Sequence, residues 1–191
     1  MNDETALPNT PPQMETLPDY LASGLDIVFV GINPGAHSAE VGHYFATPTN
    51  RFWPAVRQAG LVSQDMTAET DHRILEFGIG FTDVVKRPSH SASDLRSEDF
   101  RRWSRFLKDK LLRFQPRIVC FQGLTGYRNY LRYADGDKKT NPSLGLQPRT
   151  IGTSKVFVVP NPSPANAVYR LDDLVGWYRE LGKFRDDLKG S

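Results

Sequence analysis

The chain has 191 residues, of which 39% are hydrophobic and 11% aromatic, enough apolar material for the core of one domain. Its 24 basic and 22 acidic residues give a formal net charge of +2, so any basic surface for nucleic acid must be local. One cysteine excludes an internal disulfide framework. With no apolar run of membrane-spanning length and no signal-like N-terminus, we expect an intracellular protein without membrane partners.

Residues 1–17 form the first predicted segment. They contain three prolines, many polar residues and no apolar period. Such a segment cannot bury enough apolar surface to offset the entropy lost on ordering. We therefore predict a flexible tail over 1–17, followed by a single domain over 18–191.

Four short apolar runs predict β-strands. The first ends at Gly31, where Gly-Pro punctuation begins a loop. The runs are continuous rather than alternating, which is typical of strands covered on both faces in a parallel sheet. The predicted strands are Ile27–Val30, Ile79–Val85, Arg117–Gln122 and Lys155–Val159.

Helical periodicity separates these strands. Apolar residues recur at three- and four-residue steps over 97–111 and 171–181, and shorter helices are predicted at Arg51–Ala59 and Asp71–Phe77. Alternating strands and helices predict the α/β class, here a three-layer α/β/α domain with a mostly parallel central sheet. Ligands of such sheets bind outside the carboxyl ends of the strands. The loops after Val30, Val85, Gln122 and Val159 are thus the expected site.

Two of these loops have a similar composition. The sequence GINPG occupies 31–35 after the first strand, and PNPSP occupies 160–164 after the last. Pro34 restricts Asn33 to extended conformations and holds it rigidly. A fixed amide can orient a water molecule by donating one hydrogen bond and accepting another. The motif alone equally fits a structural turn in which Asn33 caps backbone groups.

Further motifs occur in order along the chain and carry a resemblance from about Leu25 to Lys189. The sequence resembles the mismatch-specific uracil and thymine DNA glycosylases, a branch of the uracil-DNA glycosylase superfamily. The matching segments are GINPG at 31–35, GHYF at 42–45, NRFW at 50–53, GIGFTD at 78–83, QPRI at 115–118, GLQP at 145–148 and NPS at 161–163.

The resemblance implies a monofunctional DNA glycosylase with a uracil-DNA glycosylase-like fold. Such an enzyme flips the damaged nucleotide out of the duplex and hydrolyses the bond between sugar and base, leaving an abasic site. Its expected partner is double-stranded DNA that contains a mismatched or damaged pyrimidine, uracil above all. We expect it to act as a monomer.

The resemblance also assigns roles to residues around the first loop. Asn33 corresponds to the residue that positions the hydrolytic water, and Phe45 to the aromatic ring on which the flipped base stacks. Backbone N–H groups of Ile32 and Phe45 are candidates for stabilising the departing base. Ser38 falls where relatives place a small residue beside the pyrimidine ring, and Asn161 is the substrate-binding candidate of the second loop.

Two carboxylates are candidates for an auxiliary general base. Asp94 matches an acidic position in some relatives and lies in the loop after a predicted strand, and Asp83 is the other candidate. Each fits equally well or better as a turn or capping residue. The four histidines and one cysteine form no dense ligand cluster, so we expect neither a metal nor a cofactor.

The second loop departs from the family pattern. Several bacterial relatives have a bulky aliphatic wedge there, which fills the gap left by the flipped base. This chain has Ser163, Pro164, Ala165 and Asn166 at the positions for wedge insertion and mismatch reading. Because alanine fills little volume, another residue must help, and Asn166 or Tyr169 could substitute.

Two other functions remain open from the sequence. A non-hydrolytic nucleic-acid-binding domain on the same fold would use Asn33 and Asn161 only to position phosphates. A nucleotide-binding α/β enzyme would use the GINPG loop as a phosphate cradle, although the chain lacks a Walker-type or GxGxxG motif.

Overall fold

A five-stranded sheet forms the centre of the molecule. The structure is a computed structural model, and it describes residues 16–190. The strands lie in the order β2-β1-β3-β5-β4, parallel except for β4, which pairs antiparallel with β5. Their bounds are β1 Ile27–Gly31, β2 Ile79–Asp83, β3 Ile118–Gln122, β4 Gly145–Ile151 and β5 Ser154–Val159.

Helices cover both faces of this sheet. The helices α2 and α5 pack together on one face, and α3 and α4 pack together on the other. The bounds are α1 Ala36–Val41, α2 Phe52–Gln58, α3 Ser97–Phe114, α4 Leu124–Ala134 and α5 Leu171–Gly190, with 3-10 segments at Ala68–Phe77 and Ala92–Asp94. The predicted three-layer α/β/α fold with a mostly parallel sheet is confirmed.

The two hydrophobic cores follow from the alternation of side chains along each strand. In β1, Ile27 and Phe29 face α2 and α5, whereas Val28 and Val30 face α3 and α4. In β3, Ile118 and Cys120 face α2 and α5. Continuing this alternation places Gln122 on the α2/α5 side, at the carboxyl end of β3.

The end of the predicted tail belongs to the domain. Thr16 Oγ1 donates to the carbonyl oxygen of Lys86 at 2.5 Å, and Leu17 is buried in the core. Tyr20 forms an antiparallel bridge with Phe81 on β2. The packed chain therefore begins at least two residues before the predicted boundary, while the rest of the predicted tail, residues 1–15, lies outside the described residues.

Several element boundaries differ from the prediction. The second strand ends at Asp83 rather than Val85, and the short helix predicted at Asp71–Phe77 is part of a 3-10 segment. The elements α1, α4 and β4 have no counterpart in the prediction. Within residues 16–190, no helix is long and apolar enough to cross a membrane.

Candidate active site

Four loops meet at the carboxyl edge of the parallel strands. They follow Gly31, Asp83, Gln122 and Val159, the ends of β1, β2, β3 and β5. Gly31 of β1 pairs with Asp83 of β2, and Gln122 of β3 pairs with Val159 of β5. All four strand ends therefore lie side by side. This geometry brings together the two loops that the sequence analysis singled out.

Hydrogen bonds fix the side chain of Asn33 on the first loop. Its Nδ2 donates to the carbonyl oxygen of Arg87 at 2.9 Å and to Ser89 Oγ at 2.8 Å, with the carbonyl oxygen of Pro34 at 3.1 Å. Backbone carbonyls only accept, so the nitrogen must face them. The amide oxygen, Oδ1, therefore points away from these partners and is the atom left to accept from a water molecule.

Ser89 secures this orientation although the sequence analysis assigned it no role. Its hydroxyl donates to the carbonyl oxygen of Ser91 at 2.7 Å, so toward Asn33 it acts as an acceptor. Its backbone also bonds the first loop on both sides, from Ser89 N to Pro34 O and from Ala36 N to Ser89 O. The segment after β2 thus holds Asn33 through both side-chain and main-chain contacts.

Asp94 reaches this network only indirectly. It lies exposed at the end of a 3-10 turn, where its Oδ2 accepts from Ser91 N at 2.9 Å. Ser91 in turn accepts from Ser89, which accepts from Asn33. These contacts favour the capping interpretation of Asp94 over a general base.

The ring of Phe45 lies at the edge of the core. It stacks on Phe52 with a centroid separation of 4.0 Å and an interplanar angle of 22°, and it meets Phe81 edge-on at 5.4 Å. Phe45 is only half-buried, and its φ of 56° is uncommon for a residue with a side chain. A supported, partly exposed aromatic ring is suited to stacking against a flipped base.

Contacts to the preceding residue hold Phe45 in this conformation. Tyr44 N donates to Asp71 Oδ2 at 2.7 Å, and Trp53 Nε1 donates to the carbonyl oxygen of Tyr44 at 3.0 Å. Asp71 is fully buried and also lies 3.1 Å from His43 Nδ1. Asp71 is therefore a structural anchor of the Phe45 segment that the sequence analysis did not identify.

Ser38 lies on α1 next to the same segment. It is buried, and its Oγ accepts from the backbone N–H of Ala46 at 3.1 Å, while its carbonyl oxygen accepts from Gly42 and His43. The structure thus joins Ser38 to the chain on both sides of Phe45. Its hydroxyl proton is left over for another acceptor.

Asp83 is buried in a charged cluster behind Gly31. Its Oδ2 lies 3.3 Å from Tyr44 Oη and 3.4 Å from Lys86 Nζ, and Lys86 also pairs with Asp19 at 2.9 Å. Desolvation raises the pKa of Asp83 despite the neighbouring lysine. A Cβ on Gly31 would lie 2.6 Å from Asp83 Oδ1, so glycine is needed for this close approach. These contacts assign Asp83 a structural role.

Gln122 is a further candidate that the sequence analysis mentioned only as a strand end. It is 2% exposed, and among the described residues its Nε2 has no hydrogen-bond partner. By the alternation of side chains along β3, it faces away from Phe121 and toward the α2/α5 side of the sheet, the side on which Phe45 packs. Burying an unpaired amide is costly unless a ligand completes it. A polar residue that ends an apolar strand is the sequence signal that could have identified it.

The second loop is built around its own amide side chains. Asn161 Oδ1 accepts from Ser163 N at 2.9 Å, and Asn166 Nδ2 donates to the carbonyl oxygen of Asn161 at 2.9 Å. A turn over 163–166 leaves Pro164 and Ala165 exposed at its tip. The side chain of Asn166, proposed above as a substitute wedge, is therefore committed to bracing the loop.

Arg51 anchors the backbone of this loop. Its guanidinium donates to the carbonyl oxygens of four loop residues, including Asn166 at 2.9 Å. The other three acceptors are Pro162, Ser163 and Tyr169. Arg51 is part of the NRFW motif quoted above. The sequence does not show that its planar guanidinium donates to several carbonyl oxygens at once, because those carbonyls come from a distant loop.

Metal binding needs a cluster of ligating side chains, and thiol chemistry needs an accessible cysteine. Over residues 16–190, no group of three or more histidine, cysteine, aspartate or glutamate side chains is placed to hold a metal ion. Cys120 is fully buried in β3, and burial raises the pKa of its thiol well above the ordinary value. Cys120 is therefore a core residue, as its apolar surroundings in the sequence indicate.

Comparisons with known proteins agree with this geometry. The sequence matches the family model described as "Uracil DNA glycosylase superfamily" over residues 18–182. Among solved structures, it is similar to a solution NMR structure from Methanosarcina acetivorans that is described as a "putative Uracil DNA glycosylase". The two share 24% sequence identity with a TM-score of 0.56, covering 88% of this chain and 98% of that chain, which supports a common fold.

Proposed function

The chain belongs to the uracil DNA glycosylase superfamily, and from this membership we propose that it is a monofunctional glycosylase that removes uracil from mismatched DNA. Family membership supports DNA glycosylase activity in general. We further propose which base is removed, which opposite base is preferred and which residues carry out the reaction. The fixed amide of Asn33 at the carboxyl edge of the sheet is the observation that carries it.

In the proposed reaction, water attacks the sugar carbon C1′ as the bond from C1′ to the base nitrogen breaks. The bonding electrons leave with uracil, and the proton of the attacking water passes to solvent. Asn33 cannot deprotonate water, but its Oδ1 can accept one water hydrogen and hold the oxygen toward C1′. Backbone N–H groups near Ile32 and Phe45 would stabilise the uracil anion.

The base would be held by stacking and by its polar edge. Phe45 offers a ring already stacked on Phe52, and base stacking on an aromatic ring contributes roughly 1 to 3 kcal/mol. Gln122 offers a buried amide whose nitrogen lacks a protein partner among the described residues. An amide can donate to one uracil carbonyl and accept from the ring N–H, so we propose that Gln122 recognises the base edge.

The mismatch preference follows from the cost of flipping. A base in a wobble pair is easier to extrude than one in a matched pair, so uracil opposite guanine should be removed faster than uracil opposite adenine. The exposed turn at Pro164 and Ala165 is the proposed contact to the opposite strand, where a carbonyl oxygen can accept from a guanine N–H. Asn161 and Ser163 hold this turn in place.

Abasic-site formation on a uracil-containing duplex tests the function. Wild-type protein should produce alkali-labile sites, and Asn33→Ala should reduce the single-turnover rate by about 100-fold or more because the water loses its orientation. Asp94→Ala is the matched comparison, since its carboxylate caps a turn, and we expect a much smaller loss.

The outcomes separate the alternatives. If wild-type protein binds DNA but forms no abasic sites on any uracil or thymine mismatch, the chain is a binding module and the proposal fails. Full activity of Asn33→Ala would remove Asn33 from the mechanism, and a loss in Asp94→Ala as large as in Asn33→Ala would assign Asp94 a direct role. Equal rates opposite guanine and adenine would contradict the mismatch preference.

A further inference from the structure

Lys86 is a buried lysine near the carboxyl edge of the sheet to which the proposed reaction assigns no part. It lies three residues beyond the end of β2, and only 5% of its surface is exposed. Lysine is almost never buried unless its charge is paired, because removing an ammonium group from water is costly. The burial of Lys86 therefore calls attention to the groups that surround its charge.

Three acceptors surround the ammonium group of Lys86. Its Nζ donates to Asp19 Oδ1 at 2.9 Å. It also donates to Tyr44 Oη at 3.1 Å and to Asp83 Oδ2 at 3.4 Å. The Tyr44 hydroxyl has one proton, which it donates to Asp83 Oδ2 at 3.3 Å, so a lone pair remains to accept from Lys86. The ammonium group is thus fully paired, and one of its partners is the residue that precedes Phe45.

The backbone of Lys86 belongs to the segment that supports the first loop. Just before it, Val85 N donates to the carbonyl oxygen of Ile32 at 2.9 Å. Just after it, the carbonyl oxygen of Arg87 accepts from Asn33 Nδ2 at 2.9 Å. A shift of the backbone at Lys86 would therefore pass directly to the amide of Asn33.

The side chain of Lys86 contacts the support of Phe45 instead. The backbone of Tyr44 is held by Asp71 and Trp53, and its hydroxyl group is held by Lys86. Phe45 follows with a φ of 56°, a left-handed conformation that persists in a residue with a side chain only where neighbouring contacts impose it. One lysine thus connects the segment that orients Asn33 with the residue that places the Phe45 ring.

We propose that Lys86 is a positioning residue that holds Asn33 and Phe45 at a fixed separation. This inference rests on the proposed glycosylase function. A base stacked on Phe45 determines where C1′ of its sugar lies, and Asn33 determines where the attacking water lies. The separation of the two residues therefore sets the alignment of water and C1′, and a misplacement of about 1 Å can slow a reaction by about 100-fold.

Single-turnover cleavage of a duplex with uracil opposite guanine tests this role. Tyr44→Phe removes the hydroxyl group but no charge. It should lower the maximal rate by about tenfold and change the enzyme concentration at half-maximal rate by less than about threefold, because alignment is lost and binding is kept. Lys86→Met should lower the maximal rate at least as much. Since both changes break the same contact, the double variant should be no slower than Lys86→Met.

Lys110→Met is the matched control. Lys110 reaches the same aspartate from α3, with its Nζ 2.5 Å from Asp19 Oδ2, so this variant removes a lysine from Asp19 and leaves the contact between Lys86 and Tyr44 in place. Its maximal rate should stay within about twofold of wild type, since a partly exposed ion pair contributes little. Circular dichroism should confirm that each variant is folded at the assay temperature.

The indole N–H resonance of Trp53 gives a readout that does not depend on activity. This group donates to the carbonyl oxygen of Tyr44 at 3.0 Å, so its chemical shift reports movement of the residue before Phe45. The resonance should move in Tyr44→Phe and in Lys86→Met and stay in place in Lys110→Met.

The outcomes separate positioning from stability and from the proposed function. Wild-type maximal rates in Tyr44→Phe and Lys86→Met would overturn the proposal, as would equal rate losses in Lys86→Met and Lys110→Met. If Lys86→Met does not fold, Tyr44→Phe decides alone, because it keeps every charge of the cluster. If wild-type protein forms no abasic sites, the proposed function fails, and the Trp53 resonance still decides whether Lys86 positions Tyr44.

Discussion

Three amide side chains at the carboxyl edge illustrate how hydrogen-bond partners decide the role of a residue. Asn33 has its nitrogen occupied and its oxygen turned away from those partners, whereas Asn161 uses its oxygen within its own turn. Gln122 is buried with no partner for its nitrogen among the described residues. The same functional group thus serves as a water-orienting, a structural and a base-binding candidate.

A comparison of two buried glutamines tests the assignment of Gln122. Gln122→Leu removes an amide whose nitrogen has no partner within residues 16–190, so the free energy of unfolding should stay constant or rise. The cleavage rate should fall at least about tenfold, because the base edge loses its proposed partner. Gln147 is similarly buried, but its Nε2 donates to the carbonyl oxygens of Ser143 and Gly145. Gln147→Leu should therefore lower the unfolding free energy by about 1 to 3 kcal/mol.

Urea unfolding and single-turnover kinetics of both variants provide the measurement. The assignment would be wrong if Gln122→Leu cleaved at the wild-type rate. It would also be wrong if both variants lost stability equally, because Gln122 would then have a structural partner.

Among the elements, the start of α3 is connected to the loop that carries Asn33. Asp99 accepts from Arg87 Nε at 2.9 Å and Nη2 at 2.8 Å, and it also caps α3 by accepting from Arg96 N. Arg87 is the residue whose carbonyl oxygen orients Asn33. The first turn of α3 therefore supports the segment that orients the amide of Asn33.

The pH dependence of stability checks this connection. The hydrogen bonds from Arg87 lower the pKa of Asp99, so its stabilising effect is present above the ordinary aspartate pKa, about 3.9, and is lost as the pH falls through the lowered value. Asp99→Asn should lower the unfolding free energy by about 1 kcal/mol near neutral pH. The difference from wild type should close in acid.

The adjacent acid Glu98 is the control for this prediction. It lies exposed in the same first turn of α3, so Glu98→Gln should change stability by no more than a few tenths of a kcal/mol. A wild-type advantage over Asp99→Asn that persisted unchanged at low pH would show that the charge of Asp99 is not involved.

Two of the elements that the sequence failed to predict, β4 and α4, contain residues that are unfavourable in a strand or helix interior. Strand β4 lies at the edge of the sheet, is largely exposed and contains Pro148, so it lacks the continuous apolar run of the buried strands. Helix α4 contains Gly126, where a Cβ would approach Ile32 and Val84 at 3.5 and 3.7 Å. Strand β4 therefore has no local pattern that predicts it, whereas α4 does have apolar residues at helical spacing, namely Tyr127, Tyr130 and Leu131.

At the scale of the whole molecule, the two cores bury many aromatic side chains. Burial raises the pKa of five tyrosines, and for Tyr20 and Tyr127 it raises the pKa to about 12. The others are Tyr44, Tyr130 and Tyr178. The folded protein therefore keeps these phenols protonated to a higher pH than the unfolded chain does.

Alkaline unfolding should follow from this linkage. Unfolded tyrosines lose their protons near pH 10 and the folded ones only at higher pH, so stability should fall as the pH rises from about 10 toward 12. Tyrosinate absorbance and circular dichroism, followed together, should show most phenols ionising with the loss of the fold. Ionisation near pH 10 of all seven tyrosines in a folded protein would contradict this expectation.

Local sequence was enough to predict the fold class, the buried strands, the long helices and the loop that carries Asn33. These features depend on local apolar pattern and on motifs that are contiguous in the chain. The folded structure was needed to show which atom of Asn33 remains available, that the buried nitrogen of Gln122 has no partner among residues 16–190, and that Arg51 holds the loop after β5. Those features arise from contacts between residues 50 or more positions apart, whose partners no local pattern identifies.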